Sequence, residues 1–235
     1  MTATHVLRSP DIPLANLRQP PFFEGLTPAE IRVIISEAKV RHFASRTVVY
    51  HQELPATHMY LLTRGRARYF YLAHDGKKIL LRWFRVGEIF GGAAILRLPS
   101  RYLISAETLH DCTTLSWDHD TMRQLVTRYP RLLDNAVTIA SDYLYMFLAS
   151  LVAVSCDSAS QRLAQVLMTL AECVGHPCED GVEVEVTNEE LAQAANVTLF
   201  TASRLVSDWS RRKILKKKRG KIVLRSPEHL FLPQA

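Results

Sequence analysis

The chain has 235 residues, of which 48% are hydrophobic and 22% charged, and only nine are glycine. This composition is typical of a soluble globular protein, it excludes a low-complexity chain, and the length suits two domains. The net charge of +6 is unevenly distributed: seven acidic residues and no Lys or Arg lie within 172–190, whereas ten Lys or Arg and two acidic residues follow Asn196. The basic surface is therefore expected to be local and C-terminal.

The first 20 residues contain Pro10, Pro13 and Pro20 without periodicity, which predicts an N-terminal arm. A short helix is predicted to begin after Thr27, which can act as N-cap and form a capping box with Glu30. From 43 to 118, short β-rich runs alternate with turn signals, and the clearest hairpin is AHDGKK at 73–78. This pattern predicts antiparallel strands rolled into a sandwich or barrel, so residues 21–118 are expected to form one domain.

Residues 119–155 are predicted to be helical and contain the most regular pattern in the chain. Apolar residues separated alternately by four and three positions form a heptad seam: Leu133, Val137, Ala140, Leu144, Phe147, Leu151 and Val154. We interpret 119–155 as a dimerisation helix; the alternative is a helix packed only on its own domain. The apolar run at 143–154 is shorter than the roughly 20 residues that cross a bilayer, so no membrane span or membrane partner is expected.

The four cysteines follow no secretory signal and do not form a disulfide framework, which favours a reducing cytoplasm. Cys173, His176 and Cys178 lie close together, but they offer only three zinc ligands at an atypical spacing. We therefore expect free thiols and no metal site.

Asp157 and Ser158 break the chain and recap it, so residues 156–235 are expected to form a second domain. A helix is predicted to end at Gly175, and 182–186 to be a strand. Thr187 and Glu190 form a second predicted capping box; Asn196 can end that short helix, and Thr198 can cap the next one. Two short helices joined by a tight turn are typical of a helix-turn-helix.

One arc of the second of these helices carries Ala202, Leu205, Val206 and Trp209, which are expected to face the core. The other arc and its neighbours are the predicted DNA-binding face: Thr198, Phe200, Thr201, Ser203, Arg204, Ser207 and Arg211. A basic hairpin follows, with its turn at Arg219 and Gly220, and five cations on it are expected to contact the DNA backbone: Lys216, Lys217, Lys218, Arg219 and Lys221.

Residues 189–224, EELAQAANV through KIVL, resemble the winged helix-turn-helix of the CRP/FNR superfamily of bacterial transcription regulators, and the similarity extends over nearly the whole chain. Residues 58–92 are similar to the β-roll of that superfamily, which is like a cyclic-nucleotide-binding domain, and the seam helix resembles its dimer helix. The resemblance implies an α+β fold: a jelly-roll-like β-roll, a long dimerisation helix and a C-terminal winged helix. It also implies a homodimer that binds two-fold symmetric duplex DNA and contacts RNA polymerase.

Members of this superfamily that bind cyclic AMP have a glutamate where this chain has Gly92, next to Gly91. They also have an Arg-Ser pair where this chain has Tyr102 and Leu103, with Arg101 displaced by one position. These five residues mark the expected effector pocket, but cyclic AMP is not expected in it, because the phosphate needs a guanidinium and a hydroxyl.

An iron–sulfur cluster of the usual N-terminal type is not expected either, since no cysteine precedes Cys112. The chain looks more like the Dnr/FixK-like relatives, some of which sense nitric oxide through haem. Candidate haem ligands are His5, His42, His51, His58 and His110, although no cofactor is expected with assurance.

The sequence therefore predicts a sequence-specific DNA-binding transcription regulator, controlled by a signal other than cyclic AMP or lacking control. Two alternatives stay open: a haem-based gas sensor of the same superfamily, and a ligand-binding regulatory module that does not act through DNA. No enzyme is expected, because no paired carboxylates, nucleophile–base pair or phosphate-cradling glycine loop stands out. Phe200 itself is interpreted either as a contact to a thymine methyl group or as a residue packed back on the domain.

Overall fold

The structure, a computed structural model, describes residues 6–7, 20–98 and 100–231, with backbone only at 6, 7 and 228. Contacts divide the chain into two units, Met1–Leu72 with Phe84–Tyr145, and Ala73–Trp83 with Met146–Ala235. The predicted arm at 1–20 lies largely outside the described residues. Within it, Val6–Leu7 forms a strand, so this part of the arm has regular structure that its sequence did not indicate.

The helices are α1 (Pro28–Ser36), α2 (His119–Arg128), α3 (Arg131–Cys156), α4 (Ala159–Val174), α5 (Asn188–Ala194) and α6 (Leu199–Arg211). The strands are β1 (Val6–Leu7), β2 (Lys39–Phe43), β3 (Val48–Tyr50), β4 (His58–Arg64), β5 (Ala67–Leu72), β6 (Lys78–Phe84), β7 (Ile89–Phe90), β8 (Ser105–Thr108), β9 (Cys112–Asp118), β10 (His176–Cys178), β11 (Gly181–Glu185), β12 (Leu215–Lys218) and β13 (Lys221–Leu224). Short 3-10 helices lie at Pro21–Phe23, Gly92–Ile95 and Pro227–Phe231.

The N-terminal strands form two antiparallel sheets, in the orders β1-β2-β9-β4-β7 and β3-β8-β5-β6. Apolar side chains from both sheets are buried, including Met59, Leu61, Phe84, Leu115 and Trp117. The hairpin predicted at 73–78 is confirmed: Gly76 has a positive φ of 81°, and the Ala73 amide donates to the Lys77 carbonyl. The predicted β-roll is therefore present.

Strand β8 was not recognised in the sequence, because Ser105, Glu107 and Thr108 give it a polar appearance. All three side chains are nevertheless buried. Glu107 pairs with Arg68 on the adjacent strand at 2.7 Å, and Thr108 bonds to backbone groups of Ala44 and Thr47, in the loop between β2 and β3. A polar strand can be buried when its groups are satisfied in this way.

The region predicted as one helix at 119–155 consists of two helices, α2 and α3, and the prediction needs this correction. Pro130 lies between them, and a residue that precedes proline is disfavoured in the helical conformation. Tyr129 accordingly has φ −127° and ψ 77°. The heptad seam lies wholly in α3.

The C-terminal part contains α4 to α6 and the sheet β10-β11-β13-β12. The predicted helix caps are confirmed: Ser158 and Thr187 form capping boxes with Gln161 and Glu190, and α4 ends at Val174, next to Gly175. The apolar faces of α4, α5 and α6 meet in one core that includes Leu167, Leu191 and Trp209. The predicted order of β-roll, long helix and winged helix is thus observed.

Candidate DNA interface and effector loop

The turn between α5 and α6 positions the candidate recognition helix. Asn196 adopts the predicted left-handed conformation with φ 49°, which lets the chain reverse after α5. Thr198 then caps α6, since its hydroxyl accepts from the Thr201 amide at 3.1 Å. Helix α6 therefore begins at a defined residue and a defined angle to α5.

The inner face of α6 is fully packed, as the sequence predicted. Ala202, Leu205, Val206 and Trp209 are all buried. Because these four residues lie on one arc of the helix, the rotation of α6 about its axis is determined, and with it the set of residues that faces solvent.

The outer face of α6 carries the residues expected to bind DNA. Phe200, Arg204, Ser207 and Arg211 are exposed, and Phe200 exposes 78% of its surface. Phe200 is thus not packed back on the C-terminal part of the chain. The adjacent Leu199 is also exposed and was not singled out in the sequence; its place beside Phe200 was the available signal.

Four of the predicted DNA-binding residues on α6 and at its cap already have partners within the protein; one is Arg211, which lies 3.1 Å from Asp208. Thr198 and Thr201 share a hydrogen bond between hydroxyls at 2.9 Å, and Ser203 accepts from the Asn188 side-chain amide at 3.0 Å. Ser203 is only partly exposed. The bond from Asn188 to Ser203 joins α5 to α6, and the bond between the threonines lies within the first turn of α6. No carboxylate within the described residues pairs with Arg204.

The basic hairpin forms as predicted, with β12 and β13 joined at Arg219 and Gly220. Most of its lysines are paired with acidic residues of the 172–190 region, which the sequence did not indicate. The Lys216 ammonium lies 3.2 Å from Asp180, Lys218 lies 2.9 Å from Glu183, and Lys221 lies 2.7 Å from Glu183 and 3.2 Å from Glu185.

These ion pairs shift the pKa values of their members. Hydrogen bonds from Lys221 and then Lys218 lower the pKa of Glu183 to about 2. Hydrogen bonds from Arg225 and Lys216 lower the pKa of Asp180, and the bonds to Glu183 raise the pKa of Lys218 and of Lys221. The four groups with shifted pKa values, Asp180, Glu183, Lys218 and Lys221, are therefore charged at neutral pH.

The expected effector pocket divides into an inner and an outer part. Gly91 lies inside: with φ 74°, a Cβ there would come within 2.8 Å of the His58 carbonyl oxygen and 3.4 Å of the Tyr102 ring. The Tyr102 hydroxyl donates to the His58 carbonyl at 2.8 Å and accepts from the His58 amide at 3.0 Å. Tyr102 is buried and thus ties its loop to β4.

The other three residues of the expected pocket belong to its outer part. Leu103 exposes 82% of its surface, and the exposed Arg101 donates to the Glu53 carbonyl. A Cβ on Gly92 would meet open space. No guanidinium from this loop therefore joins Tyr102 and Gly91.

A stack of aromatic rings surrounds Tyr102. The Tyr50 ring lies 3.8 Å from the Tyr102 ring, and Tyr60 and Phe90 stack 5.1 Å apart. The amide of Gly91 donates to the Tyr69 hydroxyl at 3.3 Å. The inner part is accordingly aromatic and carries several phenol hydroxyls.

Among the candidate haem ligands, His5 lies outside the described residues, and His58 is engaged through both ring nitrogens. His58 Nε2 lies 2.7 Å from an Arg41 nitrogen, and its Nδ1 lies 3.0 Å from the Thr57 hydroxyl. Burial, and then the charge of Arg41, lower the pKa of His58. His42 bonds to Thr113 at 3.1 Å. His51 and His110 are exposed.

The described residues contain no group of three or more His, Cys, Asp or Glu side chains arranged to hold a metal ion. Cys112 is buried, and burial raises the pKa of its thiol to about 11. All four cysteines are unbridged, and Cys156 and Cys178 are exposed.

Helix α3 exposes its seam. Six of the seven seam residues are exposed and Phe147 is half-buried. Tyr145, Leu148 and Val152 widen the exposed apolar arc beside Leu144 and Leu151. By length and composition alone, α3 is also the one helix in the described chain that could cross a membrane. The run at 143–154 understated this apolar length, because Ala136, Val137, Ile139 and Ala140 extend it towards the N-terminus beyond Asp142.

Comparison with known proteins places these features in a family. Residues 40–129 match the family model of the cyclic nucleotide-binding domain, and residues 161–231 match that of the Crp-like helix-turn-helix domain. The chain belongs to the CRP/FNR superfamily. The members of this superfamily are DNA-binding transcription regulators. The matches to the two family models confirm the resemblance drawn from the sequence.

Similar members of the CRP/FNR superfamily are distant in sequence. A CRP-like cAMP-activated global transcriptional regulator from Mycobacterium tuberculosis is 21% identical over 210 residues, which cover 88% of this chain and 93% of that protein. The c-di-GMP-responsive regulator CLP of Xanthomonas campestris has a similar structure, with a TM-score of 0.73, 19% identity and coverage of 84% and 99%. FixK2 of Bradyrhizobium japonicum gives a TM-score of 0.71 at 19% identity and the same coverage. These two structures bear on the fold only.

Proposed function

We propose that this CRP/FNR protein is a homodimeric transcription regulator that reads duplex DNA with α6 and responds to a signal other than cyclic AMP. The observation that carries the proposal is the outer face of α6. Its inner residues are locked in the core, so Arg204 and Phe200 are held outward on a rigid helix.

The chemistry of this face suits the major groove. An arginine can donate two hydrogen bonds to guanine O6 and N7, and an apolar ring can contact the methyl group of thymine. Arg204 is exposed, and Phe200 with Leu199 forms an apolar projection at the N-terminal turn of the same helix. We therefore assign base recognition to Arg204 and Phe200, with Ser207 and Arg211 nearer the DNA backbone.

The exposed seam of α3 supports a homodimer. The seven seam residues occupy one side of the helix, whereas Asp142 and Ala149 lie on the opposite side at about 100° per residue. A membrane-spanning helix is apolar on all sides, but a one-sided heptad stripe is covered by a second copy of itself. The two α6 helices of such a dimer would read two half-sites about 34 Å apart on two-fold symmetric DNA.

The effector loop favours a signal other than cyclic AMP. Gly92 offers no carboxylate, and Tyr102 stands where nucleotide-binding relatives have an arginine, with its hydroxyl already bonded to the backbone of β4. An aromatic interior into which this loop sends no guanidinium does not suit a cyclic phosphate. The protein would act in the bacterial cytoplasm and contact RNA polymerase there, as the family resemblance implies.

The test is binding of the purified protein to duplex DNA over a range of salt concentrations, first with a random pool and then with sites selected from it. We expect a steep loss of affinity with salt, selected sites with two-fold symmetry, and no change when cyclic AMP is added. Binding that is insensitive to salt, or selected sites without symmetry, would contradict the proposal. Binding that requires cyclic AMP would contradict its sensing part.

A further inference from the structure

We propose that only two of the five wing cations, Lys217 and Arg219, engage the DNA backbone, and that Lys216, Lys218 and Lys221 instead hold the wing together. This inference rests on the proposed function, because it concerns how the same DNA surface makes its contacts. It assigns different roles to residues that form a single basic run in the sequence.

The strand register places the wing lysines on two faces of the sheet. Lys216 lies opposite Val223, which pairs on its other side with Glu183; Lys218 lies opposite Lys221, which pairs with Glu185. Residues directly opposite each other in antiparallel strands share a face. Lys216, Lys218 and Lys221 therefore lie on the same face as Glu183 and Glu185.

On that face, the lysine ammonium groups already form ion pairs with carboxylates. Lys218 and Lys221 share Glu183, Lys221 also reaches Glu185, and Lys216 shares Asp180 with Arg225. We call this set of residues the ion-paired face. For a phosphate to bind one of its lysines, it would have to displace a carboxylate or lie close to one, and the like charges would repel each other.

Lys217 has a different position in the register. It lies opposite Ile222, which pairs on its other side with Val184, and both of these apolar residues are buried in the core. Lys217 is thus on the face that also packs against the helices, and α6 contacts β12. Its side chain is exposed at the end of the strand.

Arg219 occupies the turn at the tip of the hairpin and is exposed. Over the part of the chain that the structure describes, neither Lys217 nor Arg219 takes part in an ion pair. These two cations can therefore bind phosphates without breaking a contact that the protein already makes. The net charge that the wing offers to DNA is smaller than its sequence indicates.

The number of phosphates neutralised can be measured directly. Each cation that displaces a condensed counterion contributes roughly 0.9 to the slope of log affinity against log salt. Two double variants change the net charge equally and differ only in face: Lys217→Gln with Arg219→Gln, and Lys216→Gln with Lys218→Gln. The probe is a pool of fluorescent duplexes of randomised sequence, and thermal melts of each variant check that the wing is still folded.

We expect the Lys217/Arg219 variant to reduce the slope by roughly 1.8 for each wing on the duplex, and the Lys216/Lys218 variant to reduce it by less than half as much. Glu183→Gln, which frees the shared partner of Lys218 and Lys221, should steepen the slope and tighten binding. Equal slopes for the two double variants, or an unchanged slope for Glu183→Gln, would overturn the inference. If the wild-type protein itself shows no salt-dependent binding, it is the proposed function that fails.

Discussion

Helices α3 and α6 are both amphipathic, but α6 exposes its polar face and α3 exposes its apolar face. Helix α6 buries Leu205, Val206 and Trp209 and presents Arg204 to solvent, whereas α3 exposes Val137, Leu144 and Leu151. An exposed apolar face is stabilised by burial, at about 25 cal/mol per Å², whereas an exposed guanidinium is stabilised by an anion. The comparison indicates a protein partner for α3 and a nucleic acid for α6.

The largest effect is expected from a charge placed in the seam of α3, because it would weaken the dimer. Leu144 is 61% exposed in the single chain and would be buried between two copies, so Leu144→Glu should destabilise the dimer by about 3 kcal/mol, roughly 100-fold in dissociation constant. Sedimentation at several concentrations measures this change. Ala149→Glu adds the same charge to an exposed position outside the arc and should leave the dimer intact; a Leu144→Glu protein that sediments as wild type would refute the seam.

The next test addresses α6. Removal of the Arg204 guanidinium should cost about 1–3 kcal/mol on a selected site, or roughly 5- to 150-fold in affinity, with little effect on random DNA. Competition binding with the two DNAs measures the ratio. Arg212→Ala is the control, because that arginine lies at the end of α6 and is 3.9 Å from Asp208. If Arg204→Ala weakens binding equally on both DNAs, Arg204 is only a phosphate contact.

A smaller effect is expected from Phe200→Glu. A carboxylate accepts from the amino group of cytosine, whereas a phenyl ring contacts a thymine methyl, so the preferred base at one position should change by about 1 kcal/mol. Stability should stay within about 0.5 kcal/mol, because the ring is exposed. Parallel selection of sites with the two proteins tests this; identical selected sequences would remove Phe200 from the interface.

The smallest effect concerns pH and the ion-paired face. The lysine partners of Glu183 lower its pKa in the folded protein to about 2, from an ordinary value of 4.5. Glu183 therefore contributes stability that is present above pH 4.5 and is lost as the pH falls towards 2. The melting temperatures of wild type and Glu183→Gln should therefore differ at neutral pH and converge in acid. Glu179→Gln, in the adjacent turn, is the matched control; a pH-independent difference for Glu183→Gln would contradict the assignment.

Local features of this protein could be predicted from the sequence because neighbouring residues determine them. The caps at Thr27, Ser158, Thr187 and Thr198, the turn at Asn196 and the buried arc of α6 depend on contacts within a few residues. The break at Pro130 followed the same local chemistry, although the regular seam beyond it concealed the separate helix α2.

Contacts between distant segments could not be predicted in this way. Glu183 lies 35 residues from Lys218 and Tyr102 lies 44 from His58, so only the folded chain brings each pair together. Strand register decided which wing lysines meet carboxylates, and tertiary packing decided that Tyr102 turns inward and Phe200 outward. The sequence by itself determined the helices, the seam and the basic hairpin; the tertiary structure decided which of their charges and rings remain available, because availability depends on partners far along the chain.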